Sequence, residues 1–222
     1  MPTKNRPAFI TFTGADDASL CKGMGELSAK YPVEWGILVD RDQAGRPLFP
    51  TAKHIDRFRS QGVRLCAHIC GSAATDIARG ANPTLNLAGF SRIQINHGRE
   101  GASDKVVDAV RRFANIHTVR GVLQCRDTAF PSEANGVDWL YDVSFGEGLR
   151  PTSFPPVETD YPFCGISGGI GPENVEKTLD ELIHVAPDTT FWIDMESGVR
   201  TDGAFDLNRC KEVCERVYGK TL

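Results

Sequence analysis

Two glycine-bearing turns near the C-terminus hold the residue types best suited to chemistry. The first closes a short apolar run from Pro162 and reads Gly168-Gly169-Ile170-Gly171-Pro172-Glu173-Asn174-Val175. The second closes the run from Thr190 and reads Asp194-Met195-Glu196-Ser197-Gly198-Val199. Glycine has no Cβ, so a ligand can approach the backbone amides of such turns closely. A helix that starts just beyond aims free amides and a positive dipole end at the same place, and Val175 to Val185 has helical period. Side by side, the two turns make a seat for a phosphate group, with Gly168, Gly169, Ser197 and Gly198 as donors.

Several strand-like segments alternate polar and apolar residues, which puts the polar ones on one face. Val63 to Cys70 sets Leu65, Ala67 and Ile69 against Cys66, His68 and Cys70. Thr11 and Thr13 oppose Ile10 and Phe12, Gln94 and Asn96 oppose Ile93 and Ile95, and Gln124 and Arg126 oppose Leu123 and Cys125. Asp142 opposes Tyr141, and Asp194 and Glu196 oppose Ile193 and Met195. Among these, Asp142 is a candidate acid or base. His68, on the same face as Thr13, titrates near neutral pH when unperturbed. Arg126 suits a second anion, or pairing with Asp142 or Asp194. His97, before a glycine at a strand end, suits either loop structure or substrate contact. Asp40, His68, Asp142, Asp194 and Glu196 are all potential ligands of a divalent cation. They come from different strands with no local ligand spacing, so no metal site is expected.

These residues need elements to position them. Strands are expected at 8–13, 33–40, 63–70, 91–96, 121–126, 137–143, at the run from Pro162 and at the run from Thr190. Helices are expected from Asp16 or Asp17 to about Lys30, over 51–61, over 73–79, over 104–114, over 175–185 and from near Asp206 to about Tyr218. The segment after Arg126 has room for a short helix only, and a long loop with Gly146, Gly148 and several prolines runs from Ser144 to Tyr161. Strict alternation implies a parallel sheet, and eight strands favour closure into an α/β (β/α)8 TIM barrel covering 1–222 as one domain. An open dinucleotide-binding sheet is disfavoured, because no Gly-x-Gly-x-x-Gly follows the first strand. In the barrel the polar faces point into the lumen, and the seat between the last two turns falls where such barrels hold phosphate.

Composition agrees. The chain has 222 residues, 41% hydrophobic and 24% charged, which suits an ordered domain with a sizeable core. A net charge of -4 gives no reason to expect nucleic acid or an anionic membrane as partner. No apolar run is long enough to span a bilayer and no signal-peptide core follows the N-terminus, so a cytoplasmic protein is expected. Seven scattered cysteines fit reduced thiols, with Cys210 and Cys214 packing on a helix.

With these residues placed, the chain resembles the phosphoribosylanthranilate isomerase family of tryptophan biosynthesis. The stretch 168–175 is similar to that family's Gly-Gly-Leu-x-Pro-Glu-Asn-Val turn, and 194–199 to its Asp-Val-Ser-Ser-Gly-Val turn, with an acidic residue such as Asp206 opening the last helix. The stretch 94–100 is similar to its Gln-Leu-His-Gly-x-Glu, with one extra residue. Leu140-Tyr141-Asp142 and the glycine loop after it resemble its sixth strand.

The resemblance implies an aminoaldose-to-aminoketose rearrangement on a small phosphorylated substrate, without a cofactor. It assigns Asp142 as the acid, with Arg46 as the match for an arginine that meets the substrate carboxylate; Gln94, His97, Arg126 and Asp194 are the other expected substrate contacts. The family base is a Cys on the first strand. Thr13 occupies that position here, and a hydroxyl is a far poorer base than a thiolate. His68 is the candidate replacement. The leading expectation is therefore a phosphosugar-binding barrel enzyme with altered acid–base residues. The alternatives are an active phosphoribosylanthranilate isomerase and a catalytically silent phosphate-ligand-binding protein. A homodimer is among the expected assembly states.

Overall fold

A computed structural model describes residues 6–97, 102–133, 135–144 and 147–220. Eight parallel strands form a closed barrel in chain order. They are β1 (Ile10–Thr13), β2 (Val33–Val39), β3 (Leu65–Ile69), β4 (Arg92–Ile95), β5 (Arg120–Cys125), β6 (Val137–Tyr141), β7 (Cys164–Ile166) and β8 (Phe191–Met195). Pairing of β1 with β8 closes the ring, with Thr11 opposite Asp194. The expected (β/α)8 architecture is observed.

The helices follow from local signals. A 3-10 turn (Ala18–Leu20) and α1 (Cys21–Ser28) begin after Asp17, whose carboxylate accepts the Ser19 amide at 2.8 Å. Thr51 accepts the His54 amide at 3.4 Å and opens α2 (Ala52–Arg59). Next come α3 (Gly71–Ala78) and α4 (Asp104–Ile116), the latter burying Val107, Val110 and Phe113 on one face. The helix α5 spans Val175–Val185, as its period predicts. A small hairpin, β9 (Arg200–Thr201) with β10 (Ala204–Phe205), precedes α6 (Leu207–Tyr218), which Asp206 caps through the Asn208 amide at 2.8 Å. Among the described residues no helix forms between β5 and β6 or between β6 and β7. The first connection is short and polar. The second contains Pro151, Pro155 and Pro156, which cannot donate to a helical ladder.

The main core lies between the strands and the helix ring, where Phe12, Trp35, Ile37, Ile69, Ile93 and Phe191 are fully or almost fully buried. A second cluster, Phe9, Val122, Leu140 and Trp192, has the lumen parity and plugs the barrel. A Cβ at Gly165 would lie 2.1 Å from the Trp192 ring, so the missing side chain is what admits the indole. At the N-terminal ends of the strands sits a charged layer. Glu34, fully buried, accepts from Thr11 Oγ1 at 3.0 Å and Arg64 Nε at 2.9 Å, and pairs with Arg92 Nη2 at 3.3 Å. The Arg92 guanidinium lies 4.2 Å from the Trp192 ring centroid. Asp138 takes two bonds from Arg120, at 2.9 and 2.7 Å. All seven cysteines are free, and Cys210 and Cys214 are buried in α6. Among the described residues no helix is long and apolar enough to cross a membrane.

Candidate active site

The barrel alternates its side chains strictly, so every second residue near the C-terminal strand ends points into the lumen. There the structure opens a cavity of about 340 Å³. Thr13, His68, Gln94, Arg126, Asp142, Gly168, Gly169, Asp194 and Ser197 all line it, together with Asn96, Gln124, Ser144, Gly148 and Glu196. The sequence-predicted residues His97, Arg46 and Gly198 do not. His97 sets Nδ1 3.2 Å from the Ile95 carbonyl oxygen. Arg46 is exposed and donates to Gln43 Oε1 at 3.0 Å. Gly198 packs its backbone on the first turn: a Cβ there would lie 1.9 Å from the Ile170 oxygen and 2.9 Å from Gly171 Cα. Residues 98–100 of the stretch beginning at Gln94, and Gly146 of the loop after β6, lie outside the described residues.

That contact makes the two glycine turns immediate neighbours. A third loop joins them. The Gly148 carbonyl oxygen lies 2.6 Å from the position a Cβ of Gly169 would take, and a Cβ on Gly148 would lie 2.3 Å from Ser197 Oγ. Gly148, Gly168 and Gly169 all have positive φ, at 68°, 114° and 58°, which L side chains rarely adopt. Among the described residues, the backbone amides of Gly168, Gly169, Ser197 and Gly198 donate to no protein carbonyl. Asn174 fixes the first turn by accepting from the Gly171 amide at 3.0 Å and donating to the Gly169 carbonyl at 2.8 Å.

The rest of the lining is polar. Thr13 Oγ1 donates to Asp194, 3.1 Å from Oδ1 and 3.4 Å from Oδ2. His68 Nε2 lies 3.9 Å from Asp194 Oδ2 and makes no hydrogen bond. Gly36 leaves room for this group, since a Cβ there would stand 2.2 Å from Thr13 Oγ1 and 3.0 Å from His68 Nε2. Burial pushes Asp194 well above the usual carboxylate range, with Glu196, Glu34 and Asp142 adding to it and the Thr13 bond opposing it. Burial, with the Arg92 charge behind it, pushes His68 down to about 3. Both groups are thus driven toward their neutral forms, and no hydrogen bond ties them together.

Asp142 is held by three donors. Its Oδ1 accepts from the Ser144 amide at 2.9 Å and from Ser144 Oγ at 3.0 Å, and its Oδ2 from Gln124 Nε2 at 2.9 Å. Gln124 Oε1 in turn accepts from Arg126 Nη2 at 3.3 Å. Gln94 donates to Asn96 Oδ1 at 2.9 Å. Glu196 is pushed up to about 7, chiefly by burial and secondarily by Asp142, against the pull of Arg200. A carboxyl group in that range is suited to proton exchange at neutral pH. Among the described residues no group of three or more His, Cys, Asp and Glu side chains is arranged to hold a metal ion.

Sequence reasoning missed Gly148, Ser144 and the proton-exchange character of Glu196. Glu196 did leave a signal, since it stands where the compared turn has serine. Gly148 left only its residue type, in a loop whose path is set by tertiary contacts.

The model of the family described as N-(5'phosphoribosyl)anthranilate (PRA) isomerase matches residues 84–216. No curated protein matches by sequence. Among solved structures, the N-(5'-phosphoribosyl)anthranilate isomerase of Pyrococcus furiosus is similar with a TM-score of 0.60 at 13% identity, over 94% of this chain and 98% of its own. A structure of monomers generated from the dimeric phosphoribosylanthranilate isomerase of Thermotoga maritima gives 0.59 at 15% identity, over 96% and 100%. The tryptophan synthase A-subunit of Pyrococcus furiosus gives 0.54 at 13% identity, over 99% and 100%. At these identities the structural likenesses speak to the fold alone.

Proposed function

The chain belongs to the N-(5'-phosphoribosyl)anthranilate isomerase family, and from that premise we propose that it is a barrel enzyme acting on a small phosphorylated metabolite with acid–base residues unlike the family's. The observation that carries this reading is the convergence of Gly148, Gly169 and Ser197 at a cavity that Asp142, Asp194 and Glu196 also line. A phosphate dianion sits at the turns, where unengaged amides and the approach to α5 favour negative charge. The rest of the metabolite then reaches the carboxylates.

The proton chemistry is of the intramolecular aldose–ketose type. It needs a donor to open the sugar ring and an acceptor for the proton beside the carbonyl carbon. Asp142, oriented by Ser144 and Gln124, fills the first role. Glu196 fills the second. Thr13, whose hydroxyl donates to Asp194, is the weaker candidate, because a hydroxyl is a far poorer base than a carboxylate. His68, held neutral, positions the metabolite by hydrogen bonding.

The test uses purified protein. Inorganic phosphate should protect the fold and compete with sugar phosphates for binding; absence of any phosphate binding refutes the seat. Phosphoribosylanthranilate, followed by its fluorescence, should turn over far below ordinary enzyme rates; normal turnover refutes the altered chemistry. An Asp142→Asn variant separates enzyme from silent binder, since only in a silent binder is there no turnover of any sugar phosphate to lose.

A further inference from the structure

We infer that the ligand seated at the glycine turns carries an amine, and no second anion, on the half that enters the lumen. This rests on the phosphate reading above and names the chemical class of the substrate, an amino-bearing phosphate ester.

The charge distribution of the cavity points there. Its described lining includes three carboxyl groups, Asp142, Asp194 and Glu196, and one arginine, Arg126, which already donates to Gln124. Among the described residues, the other arginines of the region are turned elsewhere, Arg150 to Thr178 and Glu181. Arg46 is exposed, outside the cavity, and donates to Gln43. Arg200 directs its guanidinium to the carbonyls of Gly14 and Gly203 and to Asp16. Arg92 pairs with Glu34 below the apolar plug. A ligand ammonium on this wall supplies the counter-charge that lets its buried carboxyl groups ionise, whereas a ligand carboxylate would add a fourth acid with little compensating charge.

A second observation is independent of the acids. His68 is 3% exposed, lines the cavity, and leaves Nε2 without a hydrogen-bond partner. Buried polar groups are ordinarily hydrogen-bonded, so an orphaned one beside a cavity marks the place of a missing partner. Nε2 and Asp194 Oδ2 are 3.9 Å apart. That is too far for a bond between them, and it is a suitable span for one nitrogen donor about 2.9 Å from each. An ammonium group supplies three donors. With His68 in its Nδ1-protonated tautomer it satisfies both acceptors, and it brings positive charge to the wall of carboxyl groups.

The experiment uses the wild-type protein and matched probes. Omega-aminoalkyl phosphates of two to five carbons are compared by calorimetry with the corresponding hydroxyalkyl and carboxyalkyl phosphates, and with inorganic phosphate. At least one amine should bind tenfold or more tightly than its hydroxyl and carboxyl counterparts. That preference should fall at least fivefold in Asp194→Asn, with Glu196→Gln as the second variant should the first not fold. Equal binding of the three series, or tighter binding of the carboxylates, overturns this inference and leaves the phosphate seat standing. Binding of none of the phosphates, inorganic phosphate included, overturns the seat and the inference together.

Discussion

Gly148 and Ser197 face each other so closely that a single methyl on the glycine would stand 2.3 Å from the serine hydroxyl. The loop after β6 and the turn after β8 therefore form one surface with the Gly168-Gly169 turn. Gly148→Ala should weaken inorganic phosphate binding, read by calorimetry. It should also cost about 1–3 kcal/mol of stability from overpacking and the positive φ. Adding Ser197→Gly should recover part of both losses. Undiminished phosphate affinity in the single variant would show that this contact has no part in the seat.

Asp142 accepts all three of its hydrogen bonds, and asparagine cannot. Asp142→Asn turns one oxygen into a donor facing either Ser144 or Gln124. Gln124 can flip its amide to match, but then loses the bond from Arg126. Urea denaturation should show a loss of about 1–3 kcal/mol, the cost of an unsatisfied buried group. A neutral result would mean that the chain Ser144, Asp142, Gln124 and Arg126 adjusts without penalty.

Glu196 makes stability depend on pH with a definite sign. Its folded value of about 7 lies above the ordinary glutamate value of 4.5. Between those two values the folded state binds more protons than the unfolded one, so stability falls as pH rises. The contribution is fully present below about pH 4.5 and is lost through pH 7, with a slope of at most about 1.4 kcal/mol per pH unit. Relative to wild type, Glu196→Gln should gain stability steadily from pH 5 to pH 8, measured by denaturant midpoints. Parallel profiles would refute the raised value.

Glu34 is fully buried, accepts from Thr11 and Arg64, and pairs with Arg92. Its loss leaves Arg92, 4% exposed, without its paired carboxylate and with only the more distant Asp138 as countercharge. Glu34→Ala should cost about 3–5 kcal/mol in denaturant unfolding. Glu34→Ala combined with Arg92→Met should cost less than the sum of the two single changes, because the stranded charge is gone.

Much of the frame was legible because its signals are local. Asp17, Thr51 and Asp206 cap the elements their positions announce, and Val175–Val185 begins and ends where its period does. Strand alternation was enough to put Thr13, His68, Gln94, Asp142 and Asp194 around one lumen, since every lumen residue of a closed barrel shares one parity. Depth was not legible. Leu140 and Trp192 have the same parity as Asp142 and Asp194 but belong to the apolar plug, and only ring closure decides where polar gives way to apolar. The position of Arg46 was equally hidden, because the loop after β2 folds through its own turns: the Gly45 amide donates to the Phe49 carbonyl and the Arg46 amide to the Gln43 carbonyl. Gly148 needed the path of a proline-rich connection that no periodicity describes.

The charged layer beneath Trp192 has a consequence for how this scaffold tolerates change. Glu34, Arg64, Arg92, Arg120 and Asp138 brace the hoop from its far end, separated from the mouth by an oily stopper. Replacing a side chain at the rim leaves that keel untouched, so rim residues can be exchanged for new ones at modest risk to the vessel. A barrel anchored from below is free to experiment above.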